Sequence, residues 1–95
     1  AIGCIAALSN VGYNVEGGDK FIPVIGVDAT DAAKDAIAKG TMSATVLQDG
    51  DAMGNAVATA ALNAAAGEDF LAGTDYTLDD TGVAVRIPYA PYTAE

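Results

Sequence analysis

The sequence contains no histidine, no tryptophan and only one cysteine, Cys4. Without histidine, the chain can form neither a mixed Cys/His zinc site nor a nucleophile that is activated by a histidine base. One cysteine cannot form a disulfide within the chain. Because free cysteine is among the most buried residue types, we expect the Cys4 thiol to be buried and structural.

Positive charge and long apolar runs are also scarce. Four basic residues stand against 13 acidic ones, which gives a formal net charge of −9. Lys20, Lys34, Lys39 and Arg86 are scattered along the chain, so the sequence predicts no nucleic acid partner. No apolar run approaches the roughly 18 residues that a membrane-spanning helix needs.

The most informative segment that is present is Ile22–Thr30, with the sequence IPVIGVDAT. Its apolar and β-branched residues predict a strand over 22–27 that is buried on both faces, as in parallel sheets. The strand stops at a carboxylate, Asp28, and helix-forming residues follow. In open α/β sheets, ligands bind outside the carboxyl ends of the strands, so Asp28 is the first candidate for a ligand-binding residue.

The segments after Asp28 predict a βαβ unit. Thr30 is expected to cap a helix over 31–39, and a second strand is expected over 43–47. A crossover of this kind makes the two strands parallel and brings their carboxyl ends to one edge of the sheet. We therefore expect Asp28 and Gln48 to be neighbours in space.

The rest of the chain predicts additional helices and a hairpin. The expected elements are a helix over 2–11, a helix over 51–66, and strands over 75–78 and 83–87 that are joined by a turn at 79–82. In the 51–66 helix, Met53, Val57 and Ala61 form an apolar stripe that we expect to pack in the core. The proline-containing residues from Pro88 onward predict an extended tail that cannot be a central strand.

Four of these segments, taken together, are similar to a known family. They are Ile22–Thr30, Ala44–Asp49, Gly73–Tyr76 and Val85–Tyr89. In this order they resemble the C-terminal third of bacterial galactose/glucose-binding proteins, which belong to the periplasmic-binding-protein superfamily. The resemblance implies an α/β fold that is the C-terminal portion of a two-lobe protein, with a parallel βαβ sheet and flanking helices, and that is incomplete by itself.

The resemblance also implies which residues bind the ligand and which form the hinge. Asp28 matches the acidic residue that accepts hydrogen bonds from sugar hydroxyls, and Gln48 matches an amide position that also reaches the sugar. Residues 1–47 would belong to the C-terminal lobe, 48–85 to the N-terminal lobe, and 86–95 to a hinge crossing and the return to the C-terminal lobe. The expected hinge residues are Gln48, Asp49, Arg86, Pro88 and Tyr89.

The function that the resemblance implies is capture of a hexose, galactose or glucose, between two lobes, without catalysis. The implied partners are the monosaccharide, an ABC permease and a chemoreceptor, and the implied location is periplasmic or extracytoplasmic. Ala1–Cys4 looks like the end of a lipoprotein signal, so a lipid-anchored parent protein stays open. The family's stacking aromatic residues and calcium loop would lie upstream of residue 1. We therefore expect a fragment that holds no cofactor, that does not bind sugar alone and that self-associates.

Two alternatives to a transport protein remain at this point. The effector domain of a sugar-responsive repressor has the same fold, and an α/β enzyme could use Asp28 as nucleophile or base. A metal site is not predicted. The segment Asp49–Gly54 superficially resembles a calcium loop, but Met53 occupies a ligand position and Ala60 stands where the bidentate glutamate is needed.

Overall fold

Helices and strands alternate along most of the chain in a computed structural model, which describes residues 1–94. The elements are α1 (Ile2–Ser9), β1 (Ile25–Val27), α2 (Asp31–Ala38), β2 (Ala44–Leu47), α3 (Gly50–Ala65) and β3 (Ala90–Thr93). The predicted order of strand, helix and strand from β1 to β2 is confirmed. None of the helices within the described residues is long and apolar enough to cross a membrane.

The three strands form one mixed sheet in the order β1-β2-β3. β1 and β2 are parallel, with Ile25 opposite Ala44, as the βαβ prediction requires. β3 pairs with β2 in the antiparallel sense, with Pro91 opposite Val46. The predicted tail is thus an edge strand, where a proline is tolerated because one side of the strand needs no ladder hydrogen bonds.

The ends of the helices follow from local capping. The Thr30 hydroxyl accepts a hydrogen bond from the Ala33 amide at 3.3 Å, which confirms the predicted cap of α2. The Asp49 carboxylate accepts one from the Ala52 amide at 2.9 Å and caps α3 in the same way. Gly40 follows the end of α2 with a φ of 74°, a conformation that glycine adopts without steric cost.

The hydrophobic core lies between α2 and the sheet. Met42 is 2% exposed, and it clusters with Ala33, Ala36 and Ile37. Ile5 of α1 and Tyr92 of β3 pack against this cluster. The core therefore collects side chains from both helices and from the sheet, on the face of the sheet that α2 covers.

The prediction that the first strand is buried on both faces is wrong. The strand covers only Ile25–Val27, and the side chains of Ile25 and Val27 are 67% and 65% exposed. Only Gly26 points toward the core, since successive residues of a strand face opposite sides. None of the described residues covers the other face of β1.

The prediction that Cys4 is buried is also wrong, because the residue is exposed. No residue of α1 is fully buried. The helix contacts the core through Ile5, and the neighbouring position Cys4 lies on a different face of the helix.

Residues 66–88 differ most from the sequence prediction. Neither of the strands expected over 75–78 and 83–87 forms. The turn between them does form, since the Asp79 amide donates to the Ala84 carbonyl at 2.7 Å and the Gly82 amide donates to Asp79 at 2.9 Å. A two-stranded hairpin without a third strand is marginally stable, so local turn bonds form while the ladder does not.

The α3 stripe is not a core element in this structure. Met53 and Val57 are 40% and 70% exposed, and Ala61 is exposed as well. Met53, Val57 and Leu71 are among the residues that line an open apolar groove of about 260 Å³. The sequence pattern correctly identified an apolar face, but the described residues only partly cover it.

The chain divides into two compact units. One contains Ala1–Gln48 and the residues from Tyr89 onward, and the other contains Asp49–Pro88. We call them the sheet unit and the α3 unit. Their assignment to the lobes of a sugar-binding protein, with the ranges 1–47, 48–85 and 86–95, stays a prediction.

Candidate functional site

The two predicted ligand-binding residues lie at the same edge of the sheet. Asp28 directly follows β1, and its amide donates to the Val46 carbonyl of β2 at 2.8 Å. Gln48 directly follows β2. Because Val27 is opposite Val46 in a parallel pair, Asp28 is only about one residue out of register with Gln48. Both residues are exposed, so their side chains are accessible to a ligand at this edge.

A third residue at this edge is Tyr89, which precedes β3. Since β3 runs antiparallel to β2 and Ala90 is opposite Leu47, Tyr89 and Gln48 flank the same end of the strand pair. Tyr89 is 64% exposed. The edge thus presents, in order across the sheet, a carboxylate, an amide and a phenol ring. We call Asp28, Gln48 and Tyr89 the strand-end cluster.

The predicted hinge residues fall on both sides of the unit boundaries. The sheet unit ends at Gln48 and begins again at Tyr89, while Asp49 and Pro88 are the terminal residues of the α3 unit. Arg86 lies inside the α3 unit, where its guanidinium is 2.8 Å from the Asp79 carboxylate. The Gln48–Asp49 connection follows β2 and the Pro88–Tyr89 connection precedes β3, so both connections leave the sheet unit from neighbouring strands. A hinge role for these residues stays a prediction.

The backbone at Asp28 and Ala29 adopts an unusual conformation. Their φ angles are 88° and 46°, in the left-handed region that residues other than glycine rarely occupy. Such conformations persist only where surrounding contacts hold them, and they concentrate at functional sites. The strain therefore marks the turn after β1 as a feature that its surroundings maintain.

Two hydrogen bonds that the turn donates to β2 hold it in place. One is the bond from the Asp28 amide to Val46, and the other runs from the Ala29 amide to the Thr45 hydroxyl oxygen at 3.2 Å. Ala29 is 5% exposed and Thr45 is 1% exposed, so the second bond is shielded from water. Thr45 was not predicted from the sequence, because a threonine within a strand is explained by β-propensity alone and gives no signal of a side-chain contact.

The chain that leads into β1 is held by Asn14, which the sequence analysis also missed. Asn14 is 5% exposed and has a φ of 52°. Its side-chain amide donates to the Ile22 carbonyl at 2.7 Å and to the Thr41 carbonyl at 3.3 Å, and its oxygen accepts from the Ile22 amide at 2.8 Å. The signal that could have found it is the tolerance of asparagine for left-handed backbone.

The strand-end cluster suits a polar ligand with several hydroxyl groups. A carboxylate offers two acceptor oxygens, and a glutamine amide offers donors and an acceptor together. Among residues 1–94, no three His, Cys, Asp or Glu side chains are grouped in a way that could hold a metal ion. The cluster therefore offers both acceptors and donors of hydrogen bonds.

Comparisons with known proteins identify the family. Residues 1–69 match the periplasmic binding protein domain. The chain is also 41% identical over 70 residues to the D-galactose/methyl-galactoside binding periplasmic protein MglB of Haemophilus influenzae. This match covers 74% of the chain and 20% of that relative, so the chain spans about a fifth of the relative's length. The matched region contains both Asp28 and Gln48, and on this evidence the chain belongs to the periplasmic binding protein family.

Proposed function

We propose that this chain is the part of a periplasmic sugar-binding protein that contributes Asp28 and Gln48 to a hexose site. The observation that carries the proposal is that these two residues follow the neighbouring parallel strands β1 and β2, about one residue out of register, at the carboxyl edge of the sheet. Open α/β folds bind ligands at this edge. The name of the Haemophilus influenzae relative, a galactose and methyl-galactoside binder, supports a hexose as the ligand.

The two side chains have different roles in this proposal. The Asp28 carboxylate accepts hydrogen bonds from two adjacent hydroxyls of the sugar, and hydrogen bonds to a charged group contribute about 1.5–3 kcal/mol. Gln48 both donates and accepts, which matches hydroxyl groups that do the same. A ligand that lacks one of these hydroxyls leaves a polar group unpaired, and selectivity follows from that penalty.

Hinge closure is the proposed mechanism of capture. The connections at Gln48–Asp49 and Pro88–Tyr89 join the two units, and in this proposal they form the hinge. A sugar that contacts both sides of a closed cleft stabilises the closed state through its higher affinity for that state. Contacts from the rest of a full-length protein would complete the site, since this chain spans about 20% of its relative.

The proposal extends to partners and location. A periplasmic binding protein of this kind would deliver its hexose to an ABC permease and present its closed form to a chemoreceptor. We place it in the periplasm on the strength of the family and of the relative's name. The same evidence favours a binding protein that does not convert its ligand, and it does not favour a repressor effector domain.

The test is calorimetric titration of D-galactose and D-glucose into the full-length protein that contains this chain. Asp28→Asn is the sharper variant, because asparagine keeps the size of the side chain and tolerates the left-handed backbone at this position. Loss of the charged acceptor should weaken hexose affinity by about tenfold or more. Asp80→Asn removes the same charge from an exposed position of the α3 unit and should leave affinity unchanged. Equal affinities in the two variants would remove Asp28 from the site.

A further inference from the structure

We propose that Thr45 is a positioning residue for ligand binding, because its hydroxyl holds the strained turn that presents Asp28. This inference rests on the proposed function, since it assumes that Asp28 contacts the hexose. Thr45 itself is 1% exposed and lies in the middle of β2. It is therefore too deeply buried to contact the ligand, and any effect on binding must pass through its neighbours.

The turn after β1 has a backbone geometry that needs support. Asp28 and Ala29 have φ angles of 88° and 46°, and neither is a glycine. An unrestrained chain would leave this conformation, because the Cβ atom meets the backbone there. The carboxylate at Asp28 keeps its place at the edge of the sheet only while something holds both residues in the left-handed region.

Two contacts with β2 hold the turn. The Asp28 amide donates to the Val46 carbonyl, and this bond continues the ladder between β1 and β2 by one residue. In a regular strand the next amide, that of Ala29, would point away from β2, but here it donates to the Thr45 hydroxyl oxygen at 3.2 Å. The side chain of Thr45 thus supplies the acceptor for an amide that regular pairing of β1 with β2 would leave without one.

Removal of the Thr45 hydroxyl would leave the Ala29 amide without its acceptor. Ala29 is 5% exposed, so water has little access to its amide. A buried amide without an acceptor is costly, and the turn would relieve that cost by rotating toward a conformation in which the amide finds another partner. That rotation moves Asp28, which is the preceding residue, away from the position in which it meets the ligand.

The neighbours of Thr45 show where its hydroxyl lies. Gly26 and Tyr92 lie opposite Thr45 on the two adjacent strands. A Cβ atom at Gly26 would lie 3.5 Å from the Thr45 hydroxyl oxygen, an ordinary van der Waals distance, so the hydroxyl faces the side of β1 on which Gly26 is buried. A valine at position 45 has nearly the same shape and fills the same space, but it offers no acceptor to Ala29.

The experiment compares Thr45→Val and Thr45→Ser in the full-length protein, with D-galactose as the probe. We expect Thr45→Val to weaken affinity by about tenfold and Thr45→Ser, which keeps the hydroxyl, to stay within about threefold of the unchanged protein. Thr41→Val is the matched control. The Thr41 hydroxyl also donates to a backbone group, the Ala36 carbonyl at 3.1 Å, but Thr41 follows the end of α2. Thr41→Val should lower the free energy of unfolding and leave the affinity for D-galactose unchanged.

Amide hydrogen exchange supplies a readout that does not depend on the ligand. In the unchanged protein the Ala29 amide should exchange slowly, and in Thr45→Val it should exchange at least about tenfold faster. Rapid exchange of Ala29 in the unchanged protein would overturn the proposal even if Thr45→Val failed to fold.

A double variant separates this proposal from the proposed function. If Thr45 acts through Asp28, Thr45→Val combined with Asp28→Asn should bind no more weakly than Asp28→Asn alone. Additive losses, or unchanged affinity in Thr45→Val while Asp28→Asn is weak, would refute the positioning role. Unchanged affinity in Asp28→Asn would refute the proposed function instead, and Ala29 exchange would then still report whether Thr45 holds the turn.

Discussion

The two units of the chain bury their residues very differently. Every buried residue among residues 1–94 belongs to the sheet unit, including Thr45 and the cluster around Met42. The short helix α2 buries three of its eight residues, whereas the 16 residues of α3 include none that is buried. The sheet unit therefore has the packing needed to hold a strained turn in place, and the α3 unit does not.

The difference also shows in how each unit uses polar contacts. In the sheet unit, buried Asn14 and Thr45 connect segments that are far apart in sequence. In the α3 unit, most side-chain hydrogen bonds join residues that are close in sequence, as in the bond from Thr81 to Asp79. Long-range buried bonds specify a three-dimensional site, while local exposed bonds only shape a turn. This contrast supports the proposal that the ligand-binding residues belong to the sheet unit.

The largest expected effect is on the free energy of unfolding, when one apolar residue of each unit is replaced by alanine. In the 95-residue chain, Met42→Ala should lower the free energy of unfolding by about 2–5 kcal/mol, because it leaves a cavity in the core. Val57→Ala should change it by less than about 0.5 kcal/mol, because that side chain is 70% exposed. Urea titration followed by circular dichroism measures both.

Comparable losses of unfolding free energy in Met42→Ala and Val57→Ala would contradict the difference in burial between the two units. They would mean that the apolar face of α3 is covered in solution. A second copy of the chain is one way to cover it. The expectation that the chain self-associates through its exposed apolar faces stays a prediction, and light scattering on the same samples measures it directly.

The next expected effect compares two asparagines that each hold a loop. Asn14 makes three hydrogen bonds and is 5% exposed, whereas Asn63 donates to the Phe70 and Ala72 carbonyls at 3.0 Å in a more open setting. Asn14→Ala should cost about 2–3 kcal/mol and Asn63→Ala about 1 kcal/mol or less. Chemical denaturation of both variants gives the difference. A larger cost at Asn63 would show that the α3 unit depends on its loop contacts more than its exposure indicates.

The sequence predicted the sheet unit better than the α3 unit, and the reason is physical. The β1–α2–β2 order and the Thr30 cap depend on local patterns, and the placement of Asp28 beside Gln48 follows from them. The mixed character of the sheet could not be predicted, because the pairing of β3 with β2 joins segments more than 40 residues apart.

Predictions failed where a local pattern needed a distant partner. The alternating residues at 83–87 predicted a strand, but no described segment offers a third strand to pair with it. The apolar stripe of α3 and the apolar residues of β1 predicted burial, and the described residues leave Val57 and Ile25 exposed. The left-handed backbone at Ala29 and the contact of its amide with the Thr45 hydroxyl gave no sequence signal, because the hydrogen bond joins residues that are 16 positions apart.

The smallest expected effect concerns the exposed turn of the α3 unit. The hydrogen bond from the Thr81 hydroxyl, followed by that from Arg86, lowers the pKa of Asp79 below its ordinary value of 3.8. Because the pKa of Asp79 is lower in the folded than in the unfolded chain, the ionised carboxylate stabilises the folded state above about pH 4. This contribution to the free energy of unfolding is lost as the pH falls through the folded pKa. We expect Thr81→Ala to raise the pKa of Asp79 more than Arg86→Gln does, as followed by carbon NMR of the carboxyl group. A larger rise in Arg86→Gln would show that the ion pair with Arg86, and not the hydrogen bond from Thr81, mainly lowers the pKa of Asp79. The bonds within the turn would then matter less in the α3 unit than the contrast with the sheet unit requires.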